Sequence, residues 1–307
     1  MRDLVIDLDS VVRTFGAITA VDDLTLKVPA GSVTVLLGPN GAGKTTTVRL
    51  ITGALIADSG TIRVLGFDPN KDGGEIRART GVVPPKPAMY DNLTGADNLR
   101  FAADLWGVNG DGIEAAADRF DISYALDQDV GGYSTGMRTR LALARAVIHD
   151  PDVLLLDEPT AGLDPESSRA VLDLIRELAG RGRTILMCTH LLHEAEGIAD
   201  QVVLMGDGTA RTAGHPADLA AAFLEHPTVV FDAENRDQLE KATGHAAVIR
   251  HEWNGGLHLT LDSMETLPDL VTELVKSGVR LTRVEPQLPT LEHLYFEMQR
   301  AMREEDG

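Results

Sequence analysis

One cysteine in 307 residues, Cys188, leaves no partner for an intramolecular disulfide. It lies in the apolar run 184–188, which reads as a strand with a buried thiol, so the fold is expected to stand without oxidation. Long hydrophobic runs are missing as well. None approaches the roughly 18 apolar residues of a membrane span, and the acidic start Arg2-Asp3-Leu4-Val5-Ile6-Asp7 does not look like a secretory signal. The chain is expected to be soluble, with no direct membrane insertion. Positive charge is scarce: 28 Lys and Arg face 47 Asp and Glu, a formal net charge of −19. Such a field opposes adhesion to nucleic acid or anionic lipid. No nucleic-acid partner is expected, and contact with a membrane should run through another protein.

What the chain does have is a glycine-rich turn. Gly38-Pro39-Asn40-Gly41-Ala42-Gly43-Lys44-Thr45-Thr46 follows the apolar run 33–37 and precedes the helix-like stretch 47–51. Glycines at 38, 41 and 43 let successive backbone N–H groups point inward around a phosphate chain without Cβ clashes. The positive end of the following helix adds to this anion nest. Lys44 is placed to reach the outer phosphates and the Thr45 hydroxyl to ligate Mg²⁺. A nucleoside triphosphate is the expected ligand.

At this length two domains are the default, given a prior of about 150 residues each. Alternation at Leu4, Ile6 and Leu8, and at Leu24, Leu26 and Val28, predicts two strands of an antiparallel lobe, and another short strand is expected over 61–66. Residues 86–140 change to helical spacing, with helices over 97–106 and 113–120, and read as a helical insertion. Helices over 139–148, 165–179 and 191–199 then alternate with strands over 153–156, 184–188 and 201–205, which implies a largely parallel sheet covered on both faces. This first domain is expected to close near 216. Residues 217–307 start with a closing or bridging helix over 217–224. They continue as strand 228–232, helix 236–243, strands 247–252 and 257–261 around a turn at 254–256, helix 265–276 and strand 280–284. That βαββαβ order is the ferredoxin-like α+β pattern. An amphipathic helix over 290–302 is expected to end the chain.

The apolar strand 153–156 delivers Asp157 and Glu158 to its C-terminal end, where parallel sheets place ligand chemistry. Position divides the labour: Asp157 would hold Mg²⁺ and Glu158 could accept a proton from an attacking water. With Pro159-Thr160-Ala161-Gly162-Leu163-Asp164 following, the chain resembles the ATP-binding subunit of an ATP-binding cassette (ABC) transporter across roughly residues 5–215. The resemblance implies an ATPase with ATP and Mg²⁺ as cofactors. In that family a signature segment, usually Leu-Ser-Gly-Gly-Gln, closes on the γ-phosphate held by a partner subunit; here the matching place is Tyr133-Ser134-Thr135-Gly136-Met137, with Ser134 and Gly136 retained. By the same resemblance His190 contacts the γ-phosphate, Phe15 stacks on adenine and Asp164 links the two sites across a homodimer. His193, His245, His251 and His258 match no role and lack ligand spacing.

One position departs from the pattern. Where the family carries a glutamine that touches Mg²⁺ and faces the membrane partner, this chain has Pro85, which offers no side-chain donor or acceptor. Slow basal hydrolysis is the expected consequence. The tail from Glu285 to Tyr295 is similar to the ends of daunorubicin-resistance-type exporter ATPases. The implied function is the ATP-hydrolysing subunit of an exporter, peripheral on the cytoplasmic face of the cell membrane and working with a separate multi-span permease. A soluble ABC ATPase acting on ribosomes, DNA or division machinery is the alternative. Translation-type relatives generally carry two cassettes in one chain and make basic contacts, and this acidic chain has one cassette.

Overall fold

A computed structural model describes residues 3–223, 227–243, 252–253, 256–287, 290–292 and 295. The chain divides into two compact units, Met1–Pro216 and Ala217–Gly307.

In the first unit, β1 (Leu4–Phe15) and β2 (Ile18–Pro29) form a long hairpin. Next come β3 (Val33–Leu37), α1 (Lys44–Ile51) and β4 (Ser59–Val64), the last pairing antiparallel to β1. The lobe has the order β2-β1-β4, and its inward residues Ile6, Leu8, Leu24, Leu26, Val28 and Val64 are buried with α1 residues Leu50 and Ile51 in one core. Then follow α2 (Gly73–Ala78), β5 (Thr80–Val83), α3 (Gly95–Trp106), α4 (Gly110–Arg119), α5 (Thr135–Val147), β6 (Val153–Asp157) and α6 (Pro165–Gly180). The unit continues with β7 (Thr184–Thr189), α7 (Leu192–Ile198), β8 (Gln201–Gly206) and β9 (Thr209–Gly214).

The main sheet has the order β5-β6-β7-β3-β8-β9. Its first five strands run parallel, and β9 pairs antiparallel to β8 at the edge. Every residue of β3, β6 and β7 is buried. Strands covered on both faces need continuous apolar runs rather than alternation, which is the pattern their sequences carry. Register then aligns the chemistry: Leu37 pairs with Thr189 and Asp157 with Cys188. The ends of these three neighbouring strands therefore open onto one edge.

The helices of the insertion, α3, α4 and α5, pack on one another. Helix α5 starts at Thr135, four residues before the expected 139, because the Ser134 hydroxyl caps it and takes the Thr135–Gly136–Met137 turn into the helix. Three elements were not anticipated. Strand β5 is four residues long and runs into two prolines; β9 has small, polar residues suited to an edge; α2 is a six-residue helix.

After α8 (Pro216–Phe223), the second unit has β10 (Thr228–Ala233), α9 (Arg236–Ala242), β11 (Glu252–Trp253), β12 (Gly256–Thr260), α10 (Leu267–Lys276) and β13 (Leu281–Gln287). All pairings in the sheet β11-β12-β10-β13 are antiparallel, and Val229, Phe231, Leu257 and Leu259 bury one face with Leu239 of α9 and Leu274 of α10. This is the ferredoxin-like arrangement. Most of the helix expected over 290–302, the strand over 247–252 except Glu252, and residues 254–255 of the turn lie outside the described residues. Among the described residues no helix is long and apolar enough to cross a membrane.

Candidate nucleotide site

The turn after β3 is held open by its glycines. A Cβ on Gly38 would lie 2.4 Å from the Met205 carbonyl oxygen, and one on Gly43 2.4 Å from that of Ala20. Gly43 also has φ +97°, a conformation that disfavours any other residue, and it forms the N-cap of α1. Gly41, at φ +90°, has nothing within 4 Å of where its Cβ would be. The Ala42 amide donates to the Pro39 carbonyl and tightens the turn. The first N–H groups of α1 have no partner within the helix, so the loop presents donors and a dipole of positive sign. Asn40 is part of the same turn, and Thr46 lies in the first turn of α1.

Lys44 is buried, and its Nζ donates to the carbonyls of Gly38 at 2.6 Å and Pro39 at 3.1 Å. The same nitrogen is 3.6 Å from Glu158 Oε1. Thr45 Oγ1 donates to Asp157 Oδ2 at 2.6 Å, while Asp157 Oδ1 is buried without a hydrogen-bond partner. Burial pushes the Asp157 carboxyl above its ordinary value, and the Thr45 hydroxyl works against that rise. Glu158 Oε2 lies 2.8 Å from His190 Nδ1, so the carboxylate sits between a lysine and an imidazole. Its backbone has φ +53°, a left-handed conformation costing a non-glycine residue roughly 1–2 kcal/mol. The Glu158 amide donates to the Cys188 carbonyl, which fixes that turn against β7.

Of the signature positions, Thr135 lines a cavity with Glu158, while Ser134 and Gly136 do not. Ser134 is exposed, with its Oγ 3.2 Å from the donating Met137 amide. A Cβ on Gly136 would meet only Ser167 Oγ at 3.7 Å, Leu163 Cδ2 at 3.9 Å and Ser134 Oγ at 4.0 Å, all ordinary contacts. Tyr133 is buried, whereas Thr135 is exposed. Asp164 caps α6, accepting from the Ser167 amide at 2.9 Å and hydroxyl at 2.6 Å, and the hydroxyl bond leads in holding its carboxyl below the ordinary value. Phe15 ends β1, 44% exposed, with the Arg13 guanidinium 4.7 Å above its ring. It is not packed between the strands. Pro85 is exposed and lines a cavity of about 250 Å³ with Lys86, Thr135, Arg138 and Glu158.

The chain is similar to known proteins. The ABC transporter family model matches residues 21–161. The ABC transporter ATP-binding protein NatA of Bacillus subtilis is 39% identical over 62% of this chain and 80% of its own length. The daunorubicin resistance ATP-binding protein DrrA3 of Streptomyces coeruleorubidus is 33% identical over 97% of this chain and 96% of its own. The chain belongs to the ABC transporter ATP-binding family. A solved ATP-binding subunit of an ABC transporter, 28% identical, superposes with a TM-score of 0.65 over 71% of this chain and 93% of that one. As an ABC ATPase, the protein binds ATP and hydrolyses it for transport.

Within this ABC ATPase, several supporting residues carry no sequence motif. Arg13 lies two residues before Phe15 in β1, and strand alternation alone could have pointed to a shared face. Ile18, the cross-strand partner of Phe15, is 70% exposed and extends that apolar tip. Buried Glu194 accepts from Thr189 Oγ1 at 3.0 Å, and Thr189 Oγ1 accepts from the Leu191 amide at 3.1 Å. That pair clamps the backbone on both sides of His190.

Proposed function

We propose that this ATPase powers an exporter by closing as a homodimer around two ATP molecules. Each would be held by Lys44, Thr45 and Asp157 of one subunit and by Ser134 and Gly136 of the other. One observation carries this reading. A full set of groups for phosphate binding and water activation meets at one sheet edge, yet neither Ser134 nor Gly136 touches it in the same chain.

In the closed site, Lys44 would exchange its two carbonyl partners for phosphate oxygens. Glu158, aligned by His190, would take the proton of the attacking water. With Nδ1 within hydrogen-bond distance of the Glu158 carboxylate, Nε2 would be the ring nitrogen left to face the phosphate. A hydroxyl and a carboxylate with one unpartnered buried oxygen suit Mg²⁺. No cluster of three or more His, Cys, Asp or Glu is available among the described residues, so the ion would rest on Thr45, Asp157 and the phosphates it neutralises.

The permease would dock where α3 meets the β5 edge. A cleft of about 420 Å³ there is lined by Tyr90, Phe101, Leu105, Trp106, Arg145 and His149 among others. Its exposed aromatic and aliphatic side chains and its two arginines, with no carboxylate in the lining, suit an apolar segment bearing an acidic residue. Attachment through such a partner would hold the chain peripherally at the cytoplasmic face. Resemblance to daunorubicin-resistance ATPases along nearly the whole length supports efflux of a hydrophobic, drug-like compound.

The test is to tag Glu158→Gln, solubilise membranes with ATP and Mg²⁺, and identify what co-purifies. The variant should bind ATP, accumulate a closed dimer and hydrolyse on the order of 10²–10⁴ times more slowly. A stoichiometric multi-span protein is the expected companion. Ribosomes, or a dimer without any membrane protein, would overturn the exporter reading in favour of a soluble regulator.

A further inference from the structure

The signature segment begins with an aromatic residue that its neighbours hold in one place. Tyr133 is 7% exposed, and its hydroxyl donates to the Ala125 carbonyl at 2.5 Å. That carbonyl also accepts from the Gln128 amide at 3.0 Å, so the phenol uses a second lone pair and is not needed to satisfy the backbone. The hydroxyl occupies a space that exists because residue 95 is glycine: a Cβ there would lie 2.2 Å from the phenol oxygen. Gly95 is the first residue of α3, directly after its N-cap Thr94.

The segment between these points is laced to the start of α3. The Gly95 amide donates to the Gln128 carbonyl, the Ala96 amide to that of Leu126, the Val130 amide to that of Leu93, and the Gly131 amide to that of Asp91. Arg138, in the first turns of α5, pairs with Asp91 at 2.7 Å. The loop from Ala125 to Tyr133 is thus closed by the phenol at its end, and the next residue is Ser134. A leucine, usual at this position in the family, could fill the space but could not donate.

We propose that Tyr133 and Gly95 form a latch that sets the position of Ser134 and of the α5 N-terminus for engaging the γ-phosphate of the partner subunit's ATP. Tyr133 is a positioning residue that touches no phosphate itself. Burial pushes its phenol above the ordinary tyrosine value, so it remains a donor at neutral pH. The inference rests on the reading that the signature acts across a dimer.

The test uses the full chain in the Glu158→Gln background and measures ATP-dependent dimerisation by light scattering over a range of ATP concentrations. Tyr133→Phe keeps the ring and loses one hydrogen bond, and should raise the ATP concentration for half-dimerisation about three- to tenfold. Gly95→Ala should weaken dimerisation at least as much, since the methyl group meets the phenol oxygen. The double variant separates a latch from general damage. With the oxygen gone, the new Cβ still meets Leu126 Cα and the ring Cζ at 3.3 Å, a tight contact but no longer a clash, so the loss in Gly95→Ala with Tyr133→Phe should fall well short of the sum of the two single losses. In the Glu158 parent, Tyr133→Phe should raise the KM for ATP with little change in kcat. Dimerisation of Tyr133→Phe equal to its parent, or losses that simply add in the double variant, would overturn the latch. If the Glu158→Gln parent itself fails to dimerise with ATP, the reading beneath the latch falls, and the latch with it.

Discussion

Two sets of glycines in this molecule are glycines for opposite reasons. Gly38 and Gly43 have no room for a side chain, because carbonyl oxygens of Met205 and Ala20 stand 2.4 Å from where a Cβ would be. Gly136 has room: its hypothetical Cβ meets nothing closer than 3.7 Å, it lies inside a helix, and glycine there costs about 0.5–1 kcal/mol relative to alanine. The chain's own packing dictates the first two and gives no reason for the third. A residue that its own fold does not require, next to an exposed capping serine, points to a surface that approaches from outside. The same contrast runs through the whole site. Lys44 and Asp157 are buried and bonded within the chain, whereas Ser134 faces solvent.

The largest effects should come from alanine at these glycines. Gly43→Ala is expected to lose roughly 2–4 kcal/mol of stability through strain at positive φ and the carbonyl clash, and to lose ATP binding with it. Thermal melting and a nucleotide titration would read both. Gly136→Ala should do the reverse to the fold, stabilising it by about 0.5–1 kcal/mol, while weakening ATP-driven dimerisation tenfold or more. A Gly136→Ala chain that dimerises as its parent does would erase the comparison, because the glycine would then answer to neither the fold nor a partner.

A smaller effect sharpens the buried side. Asp157 is held above its ordinary carboxyl value by burial, so ionising it costs the folded chain more than the unfolded one, and stability falls as pH rises past the ordinary carboxyl range. Asp157→Asn keeps an oxygen for the Thr45 hydroxyl and removes that charge. The nucleotide-free chain should gain about 0.5–2 kcal/mol in melting experiments while ATPase activity is lost. An unchanged or lower melting temperature would mean that the carboxylate is compensated by something other than a bound cation.

Legibility from sequence followed the same division. Spacing along buried strands puts the phosphate loop, Asp157 and Glu158 at strand ends, and register brings those ends together; the family resemblance alone singles out His190. The βαββαβ order of the second unit was readable for a related reason, since alternation and turn residues mark each element. What resisted reading depends on side-chain contacts that no motif marks. The Tyr133 hydroxyl meets Ala125 and fills the space at Gly95, and Glu194 reaches back to Thr189; only the Arg13 guanidinium over Phe15 follows a local pattern, the two-residue period of a strand. Helix α5 starts four residues before the expected 139 because the Ser134 cap draws Thr135, Gly136 and Met137 into its first turn.

Pro85 offers the smallest change and the finest test. Strand β5 pairs with β6 through Val83 and Leu156, so the residue two places beyond Val83 runs alongside the Asp157-Glu158 pair, and Pro85 shares a cavity with Glu158. The side-chain donors lining that cavity are cations and hydroxyls, Lys86, Arg138, Thr135 and Thr139, with no amide among them. Pro85→Gln would add a neutral group able both to donate and to accept at a place exposed enough to leave packing untouched. Its cost to the fold should be no more than about 0.4–1 kcal/mol, from the greater freedom of the unfolded chain. Basal ATPase activity at saturating Mg²⁺ should rise by about two- to fivefold, roughly 1 kcal/mol or less at the barrier. An unchanged rate would mean that Lys86 or water already performs what the glutamine does in relatives, and would move the explanation of coupling from this loop to the apolar cleft beside α3.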